Sequence, residues 1–115
     1  MPTTLYGIPN CDTVKRARAW LSEQRIAATF HDFKKGGVPP ERLDAWIAAV
    51  GWEVLVNRKG TTWRQLDESL RAGVTDAASA RALMLGHASV IKRPVIEWPT
   101  GAVTVGFEPE RWALP

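Results

Sequence analysis

The sequence has one cysteine and no long apolar run. Because Cys11 is the one cysteine among the 115 residues, no disulfide can form within the chain, which fits a reducing compartment. No run approaches the roughly 18 apolar residues that a membrane span needs. Residues 1–7 enter a strand-like pattern without the basic stretch and apolar stretch of a secretion signal. We therefore expect a cytoplasmic protein that does not span a membrane.

The chain also lacks the patterns of several common functional sites. His31 and His87 have no partners at zinc-ligand spacing, so we expect no metal. There is no glycine-rich phosphate loop, Ser-His-Asp arrangement or cysteine pair. The formal charge of +3 is too small and too scattered to predict nucleic-acid binding. Small anions are the expected partners, and any catalysis has to use Cys11.

The first third of the chain has the apolar pattern of a βαβ unit. Residues 3–8 and 28–33 alternate as strands, and between them Val14, Ala17 and Leu21 recur at helical spacing. The usual right-handed crossover makes two strands joined in this way parallel. We therefore expect these two strands to pair side by side in one sheet.

The middle of the chain predicts three helices. The first begins at Pro39-Pro40 and ends at Gly51. A second, carrying Trp63, Leu66 and Leu70, would be capped by Thr61 or Thr62, and a third, carrying Ala80, Leu83 and Met84, by Thr75. Residues 54–56 are too few to assign as helix or strand.

The last third predicts a β-hairpin and a short helix. Residues 95–98 and 102–107 have strand patterns around a turn at residues 99–101, and residues 110–114 predict the helix. The order βαβ, three helices, ββα predicts an α/β fold in one domain over residues 1–115. Its core would be a four-stranded mixed sheet with a helical insertion.

Cys11 lies between the first predicted strand and the first predicted helix. Unpaired backbone N–H groups and the helix dipole place about half a positive charge there, which favours a thiolate. A thiol with a pKa of about 8.5 is only about 3% ionised at pH 7, so a lower pKa would make Cys11 a better nucleophile. Asp12 opposes this by repulsion. The alternative is a small buried apolar cysteine, and the strand-to-helix position favours the reactive interpretation.

Five further residues, Asn10, Thr13, Arg58, Arg93 and Pro94, are candidates to bind an anion or glutathione at the same site. Asn10 and Thr13 can accept from, or cap, the N–H groups of the helix start. Arg58 lies in a loop before a predicted helix N-terminus, a location that favours anion binding. Arg93 precedes Pro94, and about 5% of such bonds are cis. From the residues alone, a solvated surface charge is the simpler interpretation of each arginine.

Residues 6–13, 57–63 and 91–95 are three motifs that together resemble the ArsC/Spx family, and most closely its YffB-like branch. The resemblance extends over the whole chain. It implies a thioredoxin fold with a helical insertion. It also implies a cis bond before Pro94, beside the active cysteine.

The resemblance also implies a chemistry. In the glutathione-coupled arsenate reductases of this family, a cysteine attacks the oxyanion, three arginines bind it, and glutathione resolves the adduct. Cys11, Arg58 and Arg93 match the nucleophile and two of these arginines. Glu108 stands where the third would be, and its carboxylate would repel an oxyanion. The resemblance thus implies a glutathione-dependent thiol reductase, with glutathione as co-substrate, glutaredoxin as a candidate partner, and a substrate other than arsenate. Separately from the resemblance, we expect a monomer.

A non-enzymatic regulator is the alternative. The Spx-type proteins of the same family bind RNA polymerase, and those with a redox switch carry a Cys-x-x-Cys pair. Val14 occupies the second position of that pair here, so the switch is absent. A Cys11→Ser variant would keep polymerase binding in a regulator and would lose thiol exchange in an enzyme.

Overall fold

The sheet is mixed and has four strands in the order β2-β1-β3-β4. We describe residues 3–112 from a computed structural model. In it β1 pairs with β2 in parallel and with β3 antiparallel, and β3 pairs antiparallel with β4. The α/β class, the four-stranded mixed sheet and the parallel βαβ unit predicted from the sequence are confirmed. The strands are β1 (Thr3–Gly7), β2 (Ala28–Asp32), β3 (Val95–Glu97) and β4 (Val103–Val105).

The contacts within the chain divide it into two units. The first combines the N-terminal segment up to Gly36 with the segment from Arg93 onwards, and it holds the sheet with α1 (Asp12–Glu23) and α2 (Phe33–Gly36). The second, Gly37–Lys92, is helical, and the prediction of one domain over residues 1–115 stays a prediction. Its helices are α3 (Pro40–Val50), α4 (Trp52–Leu55), α5 (Thr61–Gln65), α6 (Glu68–Ala72) and α7 (Ala77–Gly86).

The core of the first unit lies between α1 and the sheet. The apolar stripe of α1 is fully buried, because residues three and four apart share one face of a helix. It packs with Leu5 of β1, Ile96 of β3 and the indole of Trp112. The rings of Trp20, Trp98 and Phe107 surround that indole at centroid distances of 5.0, 5.2 and 5.6 Å. The stripe predicted from the sequence therefore anchors the helix that follows Cys11.

The second unit is organised around α3. Leu43 and Trp46 on its inner face are completely buried, and α3 packs against α4 and α7. Gly51 ends α3 with a φ of 88°, a left-handed conformation that glycine adopts without strain. After α4, Val56 forms a single antiparallel bridge with Ile91.

The sequence predicted three helices in the insertion, which is wrong: the structure has five α-helices within Gly37–Lys92, α3 to α7. The helix expected to carry Trp63, Leu66 and Leu70 is two short helices, α5 and α6, because the backbone at Leu66 is extended. In addition, α4 forms over residues 52–55, where the sequence left the structure open. Short helices gain little from propensity alone and depend on tertiary packing, so their limits are poorly encoded locally.

Both predicted helix caps in this unit are wrong as well. Gly60, which has no side chain to cap with, precedes α5 in place of Thr61 or Thr62. Asp76, one residue after Thr75, caps α7: its Oδ1 accepts from the backbone N of Ser79 at 2.9 Å. The Ser79 hydroxyl accepts in turn from the Asp76 backbone N at 3.1 Å, which completes a capping box.

The C-terminal hairpin is shorter than predicted. Its turn is closed by the Trp98 backbone N, which donates to the Ala102 carbonyl at 2.9 Å. A single 3₁₀ turn, Pro109–Arg111, stands where a helix over residues 110–114 was expected, and residues 113 and 114 lie outside the described residues. Across residues 3–112, none of the helices is both long enough and apolar enough to cross a membrane.

Candidate active site

The loop after β1 carries Cys11 to the start of α1. The strand ends at Gly7, residues 9 and 10 form a turn, and the Lys15 backbone N donates to the Cys11 carbonyl at 2.9 Å as the first hydrogen bond of the helix. A Cβ on Gly7 would lie 2.8 Å from Cγ2 of Val14, so only glycine lets the strand end approach α1 this closely. Cys11 is the N-cap residue of α1, with extended backbone angles.

The Cys11 thiol is half-buried and ionises more readily than a free cysteine. Partial burial opposes ionisation, but the pKa of the thiol is lowered overall by the Val14 N–H, by the hydrogen bond and charge of Arg93, and by the Thr13 N–H. Neither N–H contact has the geometry of a capping hydrogen bond. We conclude that these groups act on the sulfur as dipoles at the helix start.

Sheet pairing brings the Arg93–Pro94 segment to the end of β1, and Arg93 interacts with Cys11. β3 lies beside β1, with Val95 opposite Tyr6, so the residues just before β3 emerge at the edge where β1 ends. The Arg93–Pro94 bond is cis, as the family resemblance implied. The Pro94 carbonyl accepts from the Gly106 backbone N at 2.9 Å, which ties this segment to the end of β4.

Cys11 and not Asn10 or Thr13 is the N-cap residue of α1, and its side chain makes no capping hydrogen bond. Thr13 contributes its backbone N–H to the thiol instead. The Oδ1 atom of Asn10 accepts from Lys34 Nζ at 3.4 Å. The sequence analysis missed Lys34, although the parallel pairing that it predicted places the ends of β1 and β2 at one edge.

Arg58 lies in the second unit, in the turn before α5. Its guanidinium is exposed and lies 5.3 Å from the ring centroid of Trp52 and 6.0 Å from that of Trp63. At these distances the guanidinium makes cation–π interactions with both rings, so its charge is not surrounded by solvent alone. The role of Arg58 in binding an anion at Cys11 stays a prediction.

Glu108, the departure from the family pattern, is engaged by a neighbour. Its Oε2 lies 3.1 Å from Nε of Arg111 in an ion pair in which the Arg111 side chain is exposed and the Glu108 side chain is partly exposed. The pair leaves little net charge at the position where the resemblance implies a third arginine. Within residues 3–112, no three His, Cys, Asp or Glu side chains group as metal ligands.

Known proteins match this chain over nearly its full length. The model of the ArsC family matches residues 6–114. An uncharacterized protein of Haemophilus influenzae is 38% identical over 109 residues, which are 95% of this chain and 94% of that protein. The structure of a protein named YFFB is 49% identical, with a TM-score of 0.88 over 94% of this chain and 93% of its own. An arsenate reductase (ArsC) related protein from Brucella melitensis is 52% identical, with a TM-score of 0.75 over 96% and 91%.

Proposed function

This chain belongs to the ArsC family of arsenate reductase-like proteins, and we propose that it is a glutathione-dependent thiol reductase whose nucleophile is Cys11. The single observation that carries this proposal is the environment of the thiol. Its pKa is lowered by helix-start N–H groups and by Arg93 in spite of partial burial. A thiolate at neutral pH is the species that attacks a disulfide sulfur.

The proposed reaction has two exchange steps. In the first, the Cys11 thiolate attacks the glutathione sulfur of a mixed disulfide. A Cys11–glutathione disulfide forms, and the substrate leaves as a thiolate that takes up a proton. In the second, the thiolate of a second glutathione attacks that disulfide, releases oxidised glutathione and regenerates the Cys11 thiolate. Over the two steps the mixed disulfide is reduced to the substrate thiol, and its glutathionyl group leaves with one free glutathione as oxidised glutathione.

Arg93 has a defined part in both steps. Its guanidinium hydrogen-bonds the Cys11 sulfur and acts on it by charge, so it stabilises the sulfur as attacking group in the first step and as leaving group in the second. The one cysteine has no internal resolving partner, so the second thiol has to come from outside the chain. Glutathione supplies it in this proposal, with glutaredoxin as a further donor.

The Glu108–Arg111 pair argues for a thiol substrate. An arsenate oxyanion needs several uncompensated positive charges, and this pair presents a nearly neutral surface in place of the third arginine. A disulfide carries no charge on its reacting atoms, so its exchange does not need that third cation.

Glutathionylation by mass spectrometry tests the proposal. We expect reduced protein with oxidised glutathione to gain one glutathione, at a rate well above that of the same chain unfolded in urea, because only the folded chain lowers the pKa. Reduced glutathione should remove the adduct. Arg93→Gln should slow both steps, and Lys92→Gln, which removes the neighbouring exposed charge, should leave them nearly unchanged.

Equal rates for the folded and unfolded chain would refute the proposal, since the fold would then do nothing for the thiol. Polymerase binding that survives in Cys11→Ser, together with that result, would favour the regulator.

A further inference from the structure

A lysine outside the three family motifs lies beside the Cys11 loop. Lys34 follows β2, and its ammonium donates to Oδ1 of Asn10 at 3.4 Å, one residue before Cys11. The two residues are 24 positions apart in sequence, and sheet pairing brings them together. In the parallel register Gly7 lies opposite Asp32, so the loop after β1 and the turn after β2 leave the sheet at the same edge.

The backbone at Lys34 is held in place. Oδ1 of Asp32 accepts from the Lys34 backbone N at 2.8 Å, and Phe33 between them is buried with 4% of its surface exposed. The ammonium itself is exposed. The backbone of Lys34 is therefore held in place, and the hydrogen bond to Asn10 directs its ammonium toward the Cys11 loop. The ammonium remains accessible to a solute.

The other charges around the Cys11 loop determine how strongly Lys34 can influence an approaching anion. A thiolate repels an approaching anion, and Asp12 and Asp32 add to that repulsion. Arg93 is engaged with the sulfur itself, and Glu108 with Arg111. Lys34 thus places a positive charge beside the Cys11 loop, and this charge is separate from the cation that acts on the sulfur.

We propose that Lys34 sets the charge preference of the Cys11 site, so that it favours thiols and disulfides that carry carboxylates over uncharged ones. The proposal rests on Cys11 being a reactive nucleophile and adds the substrate class. Lys34 would act on the carboxylate of the incoming molecule and would leave the ionisation of the thiol nearly unchanged.

Two alkylating reagents separate these effects. Iodoacetate and iodoacetamide each form a carbon–sulfur bond with Cys11 and release iodide, and they differ in carrying a carboxylate or a neutral amide. The ratio of their rate constants cancels the reactivity of the thiol and reports the charge felt by the reagent. We expect Lys34→Gln to lower the iodoacetate-to-iodoacetamide ratio by about two- to threefold at low ionic strength, and Lys34→Glu to lower it further. High salt should shrink the difference.

Lys35→Gln is the matched control, because it removes the same charge from the next exposed residue. Its ratio should stay closer to that of the wild type. Asn10→Ala should lower the ratio as well, and Lys34→Gln should have a smaller additional effect in that background, since the two side chains act together.

The outcomes separate the two proposals. If Cys11 reacts rapidly but the ratio for Lys34→Gln equals that for Lys35→Gln, the role of Lys34 is wrong and the thiol reductase proposal stands. If both reagents slow equally in Lys34→Gln, Lys34 affects the thiol or the fold, which also overturns its role in charge preference. A thiol inert to both reagents in the wild type would refute both proposals.

Discussion

The Cys11 thiol loses some solvation on folding and still ionises more readily than a free cysteine, because helix-start N–H groups and Arg93 outweigh that loss. A lowered pKa also has a consequence for stability. Between the pKa of the folded state and the higher pKa of the unfolded chain, the folded state binds fewer protons, so the free energy of unfolding rises with pH. The contribution is fully present above the unfolded pKa and is lost as pH falls through the folded pKa.

Arg93→Gln should raise the pKa of Cys11, because the variant removes both a hydrogen bond to the sulfur and a nearby positive charge. The rate of iodoacetamide alkylation against pH gives the midpoint directly. The wild type should have a midpoint below the roughly 8.5 of an ordinary thiol, and the variant a higher one. Lys92→Gln serves as control. A wild-type midpoint at or above about 8.5 would contradict the reactive-thiol interpretation.

Glu108 carries a second prediction at this scale. We expect the wild type to reduce arsenate weakly or not at all in a glutathione- and glutaredoxin-coupled assay. Glu108→Arg changes the local charge by two units, and Glu108→Gln only frees Arg111 from its ion pair. Arsenate turnover should therefore rise from wild type to Glu108→Gln to Glu108→Arg, by at least about threefold overall after solvent screening. Strong reduction by the wild type that is unchanged in Glu108→Arg would mean that Glu108 does not face the site.

The helix α7 begins with a side-chain cap, whereas α1, α3, α4, α5 and α6 begin without one. The pKa of Asp76 is lowered because its carboxylate accepts from the backbone N–H and the hydroxyl of Ser79. The contribution of this cap to stability is therefore present above the unfolded pKa of the carboxyl and is lost as pH falls through the folded value.

Asp76→Ala should lower the melting temperature at pH 7, since it leaves the first turn of α7 uncapped. Asp76→Asn keeps an acceptor that does not titrate, so it should cost less. The gap between wild type and Asp76→Ala should narrow as the buffer is taken from pH 6 to about pH 3, around the ordinary range of an aspartate. A gap that is independent of pH over this range would show that the carboxylate charge does not stabilise the helix.

The contacts within the chain divide the molecule into two units, each of fewer than about 60 residues. Chains of that size bury a smaller fraction of their surface than larger domains do and are marginally stable alone. This size argument supports the prediction of one domain, and we expect the chain to unfold as a single cooperative unit.

Core substitutions in each unit test this. Leu21 in the first unit and Leu43 in the second are both buried, so each change to alanine should cost about 2 to 5 kcal/mol. We expect each variant to shift one common unfolding transition in urea, followed by circular dichroism and by tryptophan fluorescence. The signal covers both units, since Trp20, Trp98 and Trp112 lie in the first, and Trp46, Trp52 and Trp63 in the second. Two transitions, each moved by only one variant, would contradict the single-domain prediction.

Local patterns in the sequence were enough to predict the main elements. The stripe of Val14, Ala17 and Leu21 predicted α1, and strand–helix–strand order predicted the parallel pair. Both depend on periodicity and chirality that neighbouring residues encode. The three motifs identified the family and implied the thioredoxin fold with its helical insertion. The family match and the structural neighbours confirm both.

Tertiary structure alone decided the rest. The division of one predicted helix at Leu66 depends on packing that local propensity does not contain. The pKa of Cys11 is lowered in part by Arg93, 82 positions away, and the contact between Lys34 and Asn10 depends on the register of β1 with β2. The sequence by itself determined the four strands, the helix α1 and which residue can be the nucleophile. The charges that surround that nucleophile were decided by sheet pairing, because electrostatic interactions depend on distance in space and not on separation along the chain.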